Sequence, residues 1–158
     1  MGAQYSAGPQ IIPAGGSVTF DLAPVPCNLG VIFHRLGSGL FRLASPQAMG
    51  YRCRRQCCSG NFLSANYPVE FHGNIGLAEG GTAGPLSLAI YVDGEEDVSS
   101  EMIAQGTAEG DFANVGTSVI VQVPCICRCS SVSVLNISDQ DISLNNGTIT
   151  FAGVSVQF

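Results

Sequence analysis

From residue 67 onward, the chain consists of strand-like runs that alternate with glycine-containing turns. In residues 67–77, apolar side chains occupy every second position and polar side chains lie between them. The runs at 86–92, 132–134 and 148–156 repeat this alternation. A period of two is what a sheet with one buried face requires. Several such runs at short spacing, without a helical period, predict an all-β sandwich or barrel.

The composition is consistent with one turn-rich β domain that has little charge. The 158 residues include 20 glycines and 8 prolines, and only 11% of residues are charged. A folded domain with so few charges has a largely neutral surface, and we expect other subunits to cover part of it. The net charge of -6 argues against a nucleic-acid partner, because no basic stripe is present to neutralise phosphates.

The N-terminal residues predict an extended arm rather than a part of the folded domain. Residues 1–16 are rich in Gly, Pro and Ala, and we place the domain boundary after them, with the folded domain at 17–158. Ile11 and Ile12 are an unlikely pair to leave in water. We therefore expect these two side chains to dock on a neighbouring subunit or on the particle beneath it.

Several local patterns predict individual strands and turns. Residues 17–22 predict a first strand, and residues 31–35 and 40–43 predict a hairpin. Asp93-Gly94 and Asn145-Asn146-Gly147 predict turns, because Asn-Gly and Asp-Gly tolerate the positive φ angles of a two-residue hairpin loop. The irregular segment 44–65 predicts a long loop or strands broken by a cysteine-bearing turn.

The chain shows no targeting or membrane signal. It has neither the basic start and apolar run of a signal peptide nor an apolar stretch of the ~20 residues that a membrane span needs. We therefore expect a protein made in the cytoplasm that has no membrane partner.

The seven cysteines form the sharpest local signal. Metal sites favour Cys-x-x-Cys loops, which bend two sulfurs onto one ion, whereas Cys-x-Cys-x-Cys on a strand spreads its sulfurs. Disulfides between two distant clusters fit this spacing better, and small buried thiols or a metal site remain the alternatives. The odd number leaves one thiol free or paired between chains. The disulfide candidates are Cys53, Cys57, Cys58, Cys125, Cys127 and Cys129.

The sequence contains no recognisable catalytic set. His34 and His72 lie on separate predicted strands, without a nucleophile and a carboxylate at recognisable spacing. The acidic turn at 93–97 has oxygen ligands of the type that calcium prefers, but it lacks the spacing of known calcium loops. The sequence therefore predicts a protein that is not an enzyme and that has no cofactor, no metal site and no catalytic residue.

The order of the strand patterns resembles a known family. A Tyr-x-Val-x-Phe strand at 67–71 leads into Leu-x-Leu-x-Ile-x-Val-Asp-Gly at 86–94, Val-Ser-Val-x-Asn at 132–136 and a final strand around 151–154. This order is similar to the trimeric jelly roll of tumour necrosis factor, complement-type globular heads and the heads of collagen-like spore glycoproteins. The resemblance implies an all-β, two-sheet antiparallel jelly-roll sandwich over 17–158 that forms a homotrimer.

The resemblance also suggests which residues form the threefold contact. We expect Tyr67, Tyr91, Phe151 and Phe158 to contribute, because they are large side chains on or beside the closing strands. The chain also resembles small proteins of phages and prophages of gut clostridia. The shared features are a Gly-Asn-Ile strand at 73–75, the glycine turn at 80–85 and the late cysteine cluster at 125–129.

These observations predict a non-enzymatic structural protein on the outside of a phage particle, as a capsid decoration or fibre-head module. Its partners would be further copies of itself and a capsid or other particle protein, and its location the virion surface. A spore-surface or spore-appendage protein cross-linked by cysteines is one alternative. A module that binds a surface glycan or a receptor is another.

Overall fold

The computed structural model describes residues 2–27, 32–44, 64–124, 129–152 and 155–157. Within these ranges the chain is built from strands, with one 3-10 turn at Val98–Ser100, and it has no helix long and apolar enough to cross a membrane. The strands are β1 (Ala3–Ala7), β2 (Gln10–Ile12), β3 (Leu22–Val25), β4 (Ile32–His34), β5 (Phe41–Leu43), β6 (Ser64–Leu77), β7 (Gly84–Val92), β8 (Glu95–Glu96), β9 (Met102–Gly106), β10 (Ala113–Pro124), β11 (Ser130–Asn136), β12 (Ile142–Phe151) and β13 (Ser155–Gln157).

The strands form two antiparallel sheets. The first has the order β10-β6-β12-β1-β3, with β2 paired to β12 and β13 paired to β6. The second has the order β4-β5-β11-β7-β8, with β9 paired to β7 on the same side as β8. The prediction of an all-β sandwich with two antiparallel sheets is confirmed.

Strand β6 shows why alternation in the sequence leads to this arrangement. Val69, Phe71 and Leu77 are buried, whereas His72 between them is exposed. The strand pairs with β10 in unbroken register and with β12 on its other side. Because side chains of a strand alternate between the two faces, one face of β6 enters the core and the other stays in solvent.

An aromatic cluster joins the two sheets. Phe41 of β5, in the second sheet, lies with its ring centroid 4.9 Å from that of Tyr5 and 5.0 Å from that of Phe151, both in the first sheet. Phe20 is 5.2 Å away on another side. Phe20, Phe41 and Phe151 have no solvent exposure. Aromatic pairs at such distances add about 0.5–1.5 kcal/mol each to the free energy of area burial.

Two predicted turn regions are confirmed. Strands β4 and β5 pair as an antiparallel hairpin, with His34 opposite Phe41. Asp93 and Gly94 connect β7 to β8, and both have positive φ angles, of 53° and 82°. Positive φ at both central residues defines a type I′ turn, which matches the twist of the flanking strands.

Two local predictions are wrong. Asn145-Asn146-Gly147 is not a hairpin turn but part of β12, whose register with β6 shifts between Leu144 and Asn146. The extra residue is therefore absorbed as a bulge within a central strand. Residues 17–22 do not form the first strand. Val18 and Phe20 are buried there, but the segment makes only isolated bridges and β3 begins at Leu22.

The prediction of an N-terminal arm over residues 1–16 is also wrong. Strand β1 pairs with β12 from Ala3 opposite Phe151 to Ala7 opposite Gly147, and β2 pairs with the other end of β12. Without these strands, the backbone groups on that side of β12 would have no partner. The alternation in β1 was missed because its buried positions include two alanines, which are weakly apolar.

Candidate functional site

The edge strands of the two sheets, β3 and β4, lie on the same side of the sandwich. Strand β3 is the outer neighbour of β1, and β4 is the outer neighbour of β5. Tyr5 of β1 faces both Phe41 of β5 and His34 of β4, with ring centroids 4.9 and 5.1 Å apart. These contacts across the core bring the two outer strands together. We call residues 20–25 and 32–42 the β3–β4 edge.

The β3–β4 edge carries an unusual amount of exposed apolar surface. Ten large apolar side chains are exposed in the described parts of the chain, and half of them lie on this edge, each at least 42% exposed. Free edge strands with exposed apolar side chains invite pairing with another chain. These five residues are Leu22, Val25, Phe33, Leu36 and Leu40.

An open groove runs along β4 and β5 on this edge. It is lined by apolar side chains that include Phe33 and Leu40, and by the guanidinium groups of Arg35 and Arg42. Both arginines are exposed, and neither forms an ion pair with any carboxylate of the described residues. The groove therefore combines apolar surface with two positive charges that form no ion pair among the described residues.

His34 connects the segments that border the groove. Its Nδ1 lies 3.0 Å from the carbonyl oxygen of Leu40, and its Nε2 lies 3.0 Å from the carbonyl oxygen of Phe20. A neutral imidazole donates to one of these two oxygens, and an imidazolium donates to both. The ring also stacks on Phe41. His34 thus ties the β4–β5 hairpin to the segment that leads into β3.

The opposite side of the sandwich is formed by β8 and β9, the edge of the second sheet, which lie beside β10, the edge of the first. We call residues 95–105 the β8–β9 edge. Val98 and Ile103 are 69% and 65% exposed there. The same stretch contains no basic residue and four acidic ones, Glu95, Glu96, Asp97 and Glu101.

Buried hydrogen bonds position the acidic turn of the β8–β9 edge. The hydroxyl of Ser100 is buried; it accepts a hydrogen bond from the Ile90 backbone N–H at 2.7 Å and donates to the Asp97 carbonyl oxygen at 2.6 Å. The Asp97 carboxylate in turn accepts a hydrogen bond from the Ser99 backbone N–H at 3.0 Å. The 3-10 turn is therefore attached to β7, which keeps the neighbouring carboxylates in place.

Glu96 and Glu101 form a like-charge pair on this edge. A hydrogen bond with the Glu101 side chain raises the pKa of Glu96, and partial burial and the negative charge of Glu101 raise it further. The Oε1 atom of Glu96 is buried and has no hydrogen-bond partner among the described residues. Repulsion between the two carboxyl groups is smallest when they share one proton, or when a cation lies between them.

The hypothesis of a calcium site at the acidic turn has no support in the geometry of the described residues. Within these residues, no group of three or more His, Cys, Asp or Glu side chains is placed to hold a metal ion. His34 and His72 lie in different sheets. The His72 ring lies 4.0 Å from the Glu70 carboxylate on an exposed face, with both side chains more than half exposed.

Most of the predicted disulfide residues lie outside the described residues. These are Cys53, Cys57, Cys58, Cys125 and Cys127. Cys129 is exposed just before β11, and Cys27, which was not among the candidates, is half-buried just after β3. Burial raises the pKa of Tyr67, and the negative charges of Cys27 and Cys129 in their thiolate forms raise it further.

The described residues that flank the two cysteine clusters meet at one end of the sandwich. Ser64 at the start of β6 is paired with Pro124 at the end of β10. Tyr67 donates a hydrogen bond from its hydroxyl to the carbonyl oxygen of Ala44, which follows β5 in the other sheet. Cys129 lies next to Ser130, whose partner is Leu43. This arrangement is compatible with disulfides between the clusters, which stay a prediction.

Two of the four predicted trimer-interface residues lie in the core of the protomer instead of on its surface. Tyr67 and Phe151 have no solvent exposure within one protomer, so their side chains offer no surface to another copy. Both belong to the core because they lie on the inward face of central strands. Tyr91 is half-buried on β7, and Phe158 lies outside the described residues.

The two predicted docking residues of the N-terminal segment have different environments. Ile12 has no solvent exposure and belongs to the core of its own protomer, so the expectation that it docks elsewhere is wrong. Ile11 is 55% exposed, because neighbouring residues of β2 face opposite sides of the sheet. Docking of Ile11 on another molecule stays a prediction.

Sequence reasoning missed the β3–β4 edge. Its exposed residues lie on two short strands and in the turn between β4 and β5, where apolar residues do not alternate over a long run. Apolar residues next to proline or glycine, such as Val25 after Pro24 and Leu36 before Gly37, indicated apolar side chains near turns. This pattern does not indicate that β3 and β4 both lie at sheet edges.

The fold resembles solved structures at low sequence identity. It matches Eiger TNF from S. frugiperda with a TM-score of 0.54 and 7% identity, over 97% of this chain and 92% of the other. This similarity confirms the prediction of a tumour-necrosis-factor-like jelly roll, and it bears on the fold alone. PRD1 vertex protein P5 matches with a TM-score of 0.39 and 16% identity over 96% of both chains.

A third solved structure, an isomalto-dextranase of Arthrobacter globiformis T6 in complex with panose, matches with a TM-score of 0.33 and 11% identity, over 90% of this chain and 23% of the enzyme. No protein-family model matches the chain, and no curated protein matches its sequence. The resemblance to small phage proteins of gut clostridia stays a prediction.

Proposed function

We propose that the chain is a non-enzymatic structural protein that assembles as a homotrimer on the outside of a phage particle, as a capsid decoration or a fibre-head module. The observation that supports self-assembly most directly is the β3–β4 edge. Its five exposed apolar side chains, and two edge strands that pair on one side only among the described residues, are unfavourable in water for an isolated protomer.

Association of protomers removes this cost. Burying a Leu or Phe side chain that was fully exposed contributes about 1.5–3 kcal/mol. Several such side chains at the centre of an interface would offset part of the entropy that subunits lose on association. A chain with only 11% charged residues also has few charges to desolvate when its faces are covered.

The location on a phage particle has separate support. The Gly-Asn-Ile strand at 73–75, the glycine turn at 80–85 and the cysteine cluster at 125–129 resemble in pattern those of small phage proteins. The chain also contains no lysine, so it lacks one of the two residue types after which trypsin cleaves, which suits a particle exposed to gut proteases.

Self-assembly is tested by light scattering during size-exclusion chromatography at micromolar concentration. A mass of three times the 16.4 kDa protomer is expected, and a stable monomer would overturn the trimer. Location is tested by immunogold labelling of purified phage particles from the source culture with an antibody against the chain. Gold on the outer surface is expected. Labelling of spores with bare phage particles would overturn the particle assignment in favour of the spore-surface alternative.

A further inference from the structure

From the placement of charge on the two edges of the sandwich, we infer that protomers associate head to tail, with the β3–β4 edge of one copy docking on the β8–β9 edge of the next. The inference rests on the proposed self-assembly and specifies its interface. The two edges lie on opposite sides of the same protomer. Contacts between different surfaces of identical chains are heterologous, and they close into a ring when the rotation between copies allows it.

The charges of the two edges are complementary. The β3–β4 edge carries Arg35 and Arg42 against one carboxylate, Asp21, and both arginines lack an ion-pair partner among the described residues. The β8–β9 edge carries four carboxylates and no basic residue. Complementary potentials steer two surfaces together and set their register.

The same charges disfavour the symmetric alternatives. If the β8–β9 edge met another copy of itself, it would bring eight carboxylates together, and if the β3–β4 edge met itself, it would bring four guanidinium groups together. Juxtaposition of like charges at an interface opposes association. Only the heterologous arrangement brings the acidic edge against the basic one, so the charge pattern favours a head-to-tail contact over an isologous dimer.

The Glu96–Glu101 pair is the specific acceptor for an arginine. Glu96 has a buried carboxylate oxygen without a hydrogen-bond partner among the described residues, and the neighbouring Glu101 opposes its ionisation. A guanidinium has five N–H donors in a planar fork that matches carboxylate geometry. Arg35 or Arg42 of the next copy would bind the exposed Glu101 carboxylate, and its positive charge would offset the repulsion between the two carboxylates.

The apolar parts of the two edges also match. Val98 and Ile103 are exposed beside the acidic residues, as Phe33, Leu36 and Leu40 are exposed beside the arginines. Apolar contacts at the centre with charged pairs around them are the usual anatomy of a specific interface. The two edges therefore match each other in apolar surface as well as in charge.

Charge reversal tests the pairing. Arg35→Glu with Arg42→Glu is expected to raise the trimer dissociation constant about tenfold or more, and so is Glu96→Arg with Glu101→Arg. All four substitutions in one chain restore opposite signs, and the trimer is expected to return. The control is Glu79→Arg with Asp139→Arg, which reverses two exposed carboxylates away from both edges and should leave the trimer intact. Circular dichroism verifies the fold of each variant.

The outcomes separate the inference from the function on which it rests. A monomeric wild-type protein overturns both. A trimeric wild type whose two charge-reversed variants stay trimeric, or whose fourfold variant stays monomeric, overturns the head-to-tail pairing and leaves the trimer standing. If a charge-reversed variant fails to fold, the salt dependence of the wild-type trimer decides. Weaker association at high salt is expected for this interface, and association unchanged by salt would overturn it.

Discussion

The imidazole of His34 stacks on the ring of Phe41 in a nearly parallel arrangement, with centroids 4.1 Å apart and planes inclined by 13°. The two residues are directly paired in the β4–β5 hairpin. The same imidazole reaches the carbonyl oxygens of Leu40 and Phe20. One polar side chain thus connects the edge hairpin, the aromatic cluster and the segment before β3.

Replacing His34 with leucine is expected to destabilise the protein by about 1–3 kcal/mol, because the stack on Phe41 and the hydrogen bond from the ring to a carbonyl oxygen are lost together. Urea unfolding followed by circular dichroism measures the change. His72→Leu, at an exposed position in the other sheet, is the matched control and should change stability by less than about 0.5 kcal/mol. Equal effects of the two substitutions would contradict the structural role of His34.

Replacing Tyr67 with phenylalanine removes the hydroxyl that donates to Ala44. The loss is expected to cost about 1–2 kcal/mol, because a hydrogen bond between the sheets disappears and the ring remains. Tyr91→Phe at a half-buried position is the control. Because the pKa of Tyr67 is raised in the folded protein, its contribution is present below the ordinary tyrosine pKa and is lost as the pH rises above it. Wild type should therefore lose more stability than Tyr67→Phe above about pH 10.

Glu101→Gln is expected to stabilise the isolated protomer at neutral pH. The raised pKa of Glu96 means that its favourable contribution is present below the ordinary glutamate pKa and is lost as the pH rises through the raised value. The amide of a glutamine at position 101 can donate a hydrogen bond to an ionised Glu96 carboxylate, so neither side chain has to be protonated. The melting temperature should rise at pH 7, and the gain should shrink towards pH 4. The comparison uses the Arg35→Glu, Arg42→Glu background to keep protomers apart, and a gain that is independent of pH would contradict this explanation.

Asn136→Ala is expected to destabilise the protein by about 2–4 kcal/mol. The buried amide donates to the carbonyl oxygens of Ile12 and Gln140 and accepts from the Ser138 backbone N–H. Its removal leaves several buried groups unpaired, each at a cost of about 1–3 kcal/mol, which solvent entry reduces. Thermal unfolding measures the loss. Asn145→Ala, at an exposed site in β12, is the control and should have little effect.

The predicted disulfides are tested by melting mature, air-exposed protein with and without reductant. A bridge between residues such as Cys57 and Cys125 would close a loop of roughly seventy residues and contribute about 4 kcal/mol in the chain-entropy model. We expect a lower melting temperature in reductant with the fold retained, because a domain of this size supports its own core. Seven free thiols under denaturing conditions would reject the bridges, and zinc released by a chelator would favour the metal alternative.

The fold was largely predictable from local pattern. Alternation in β6, β7 and β12 reports directly that one face of each strand is buried, because the period of a strand is a property of the backbone. The Asp93-Gly94 turn was equally predictable, since few residue pairs accept positive φ at both positions. The similar pair Asn146-Gly147 also predicted a turn, but it lies within β12. There, pairing of β12 with both β1 and β6 outweighs the local preference for a turn.

The sequence by itself determined that this chain is a β-sandwich with few charged residues and no recognisable catalytic set. Tertiary structure alone decided which strands are edges. That property depends on partners distant in the chain, so local pattern does not contain it. It placed Ile12, Tyr67 and Phe151 in the core and left Phe33 and Leu40 exposed beside two arginines, although all are simply apolar in the sequence. The interface that we propose depends on this difference between buried and exposed apolar side chains. Exposure is set by the position of a residue in the folded sheets and not by the type of residue.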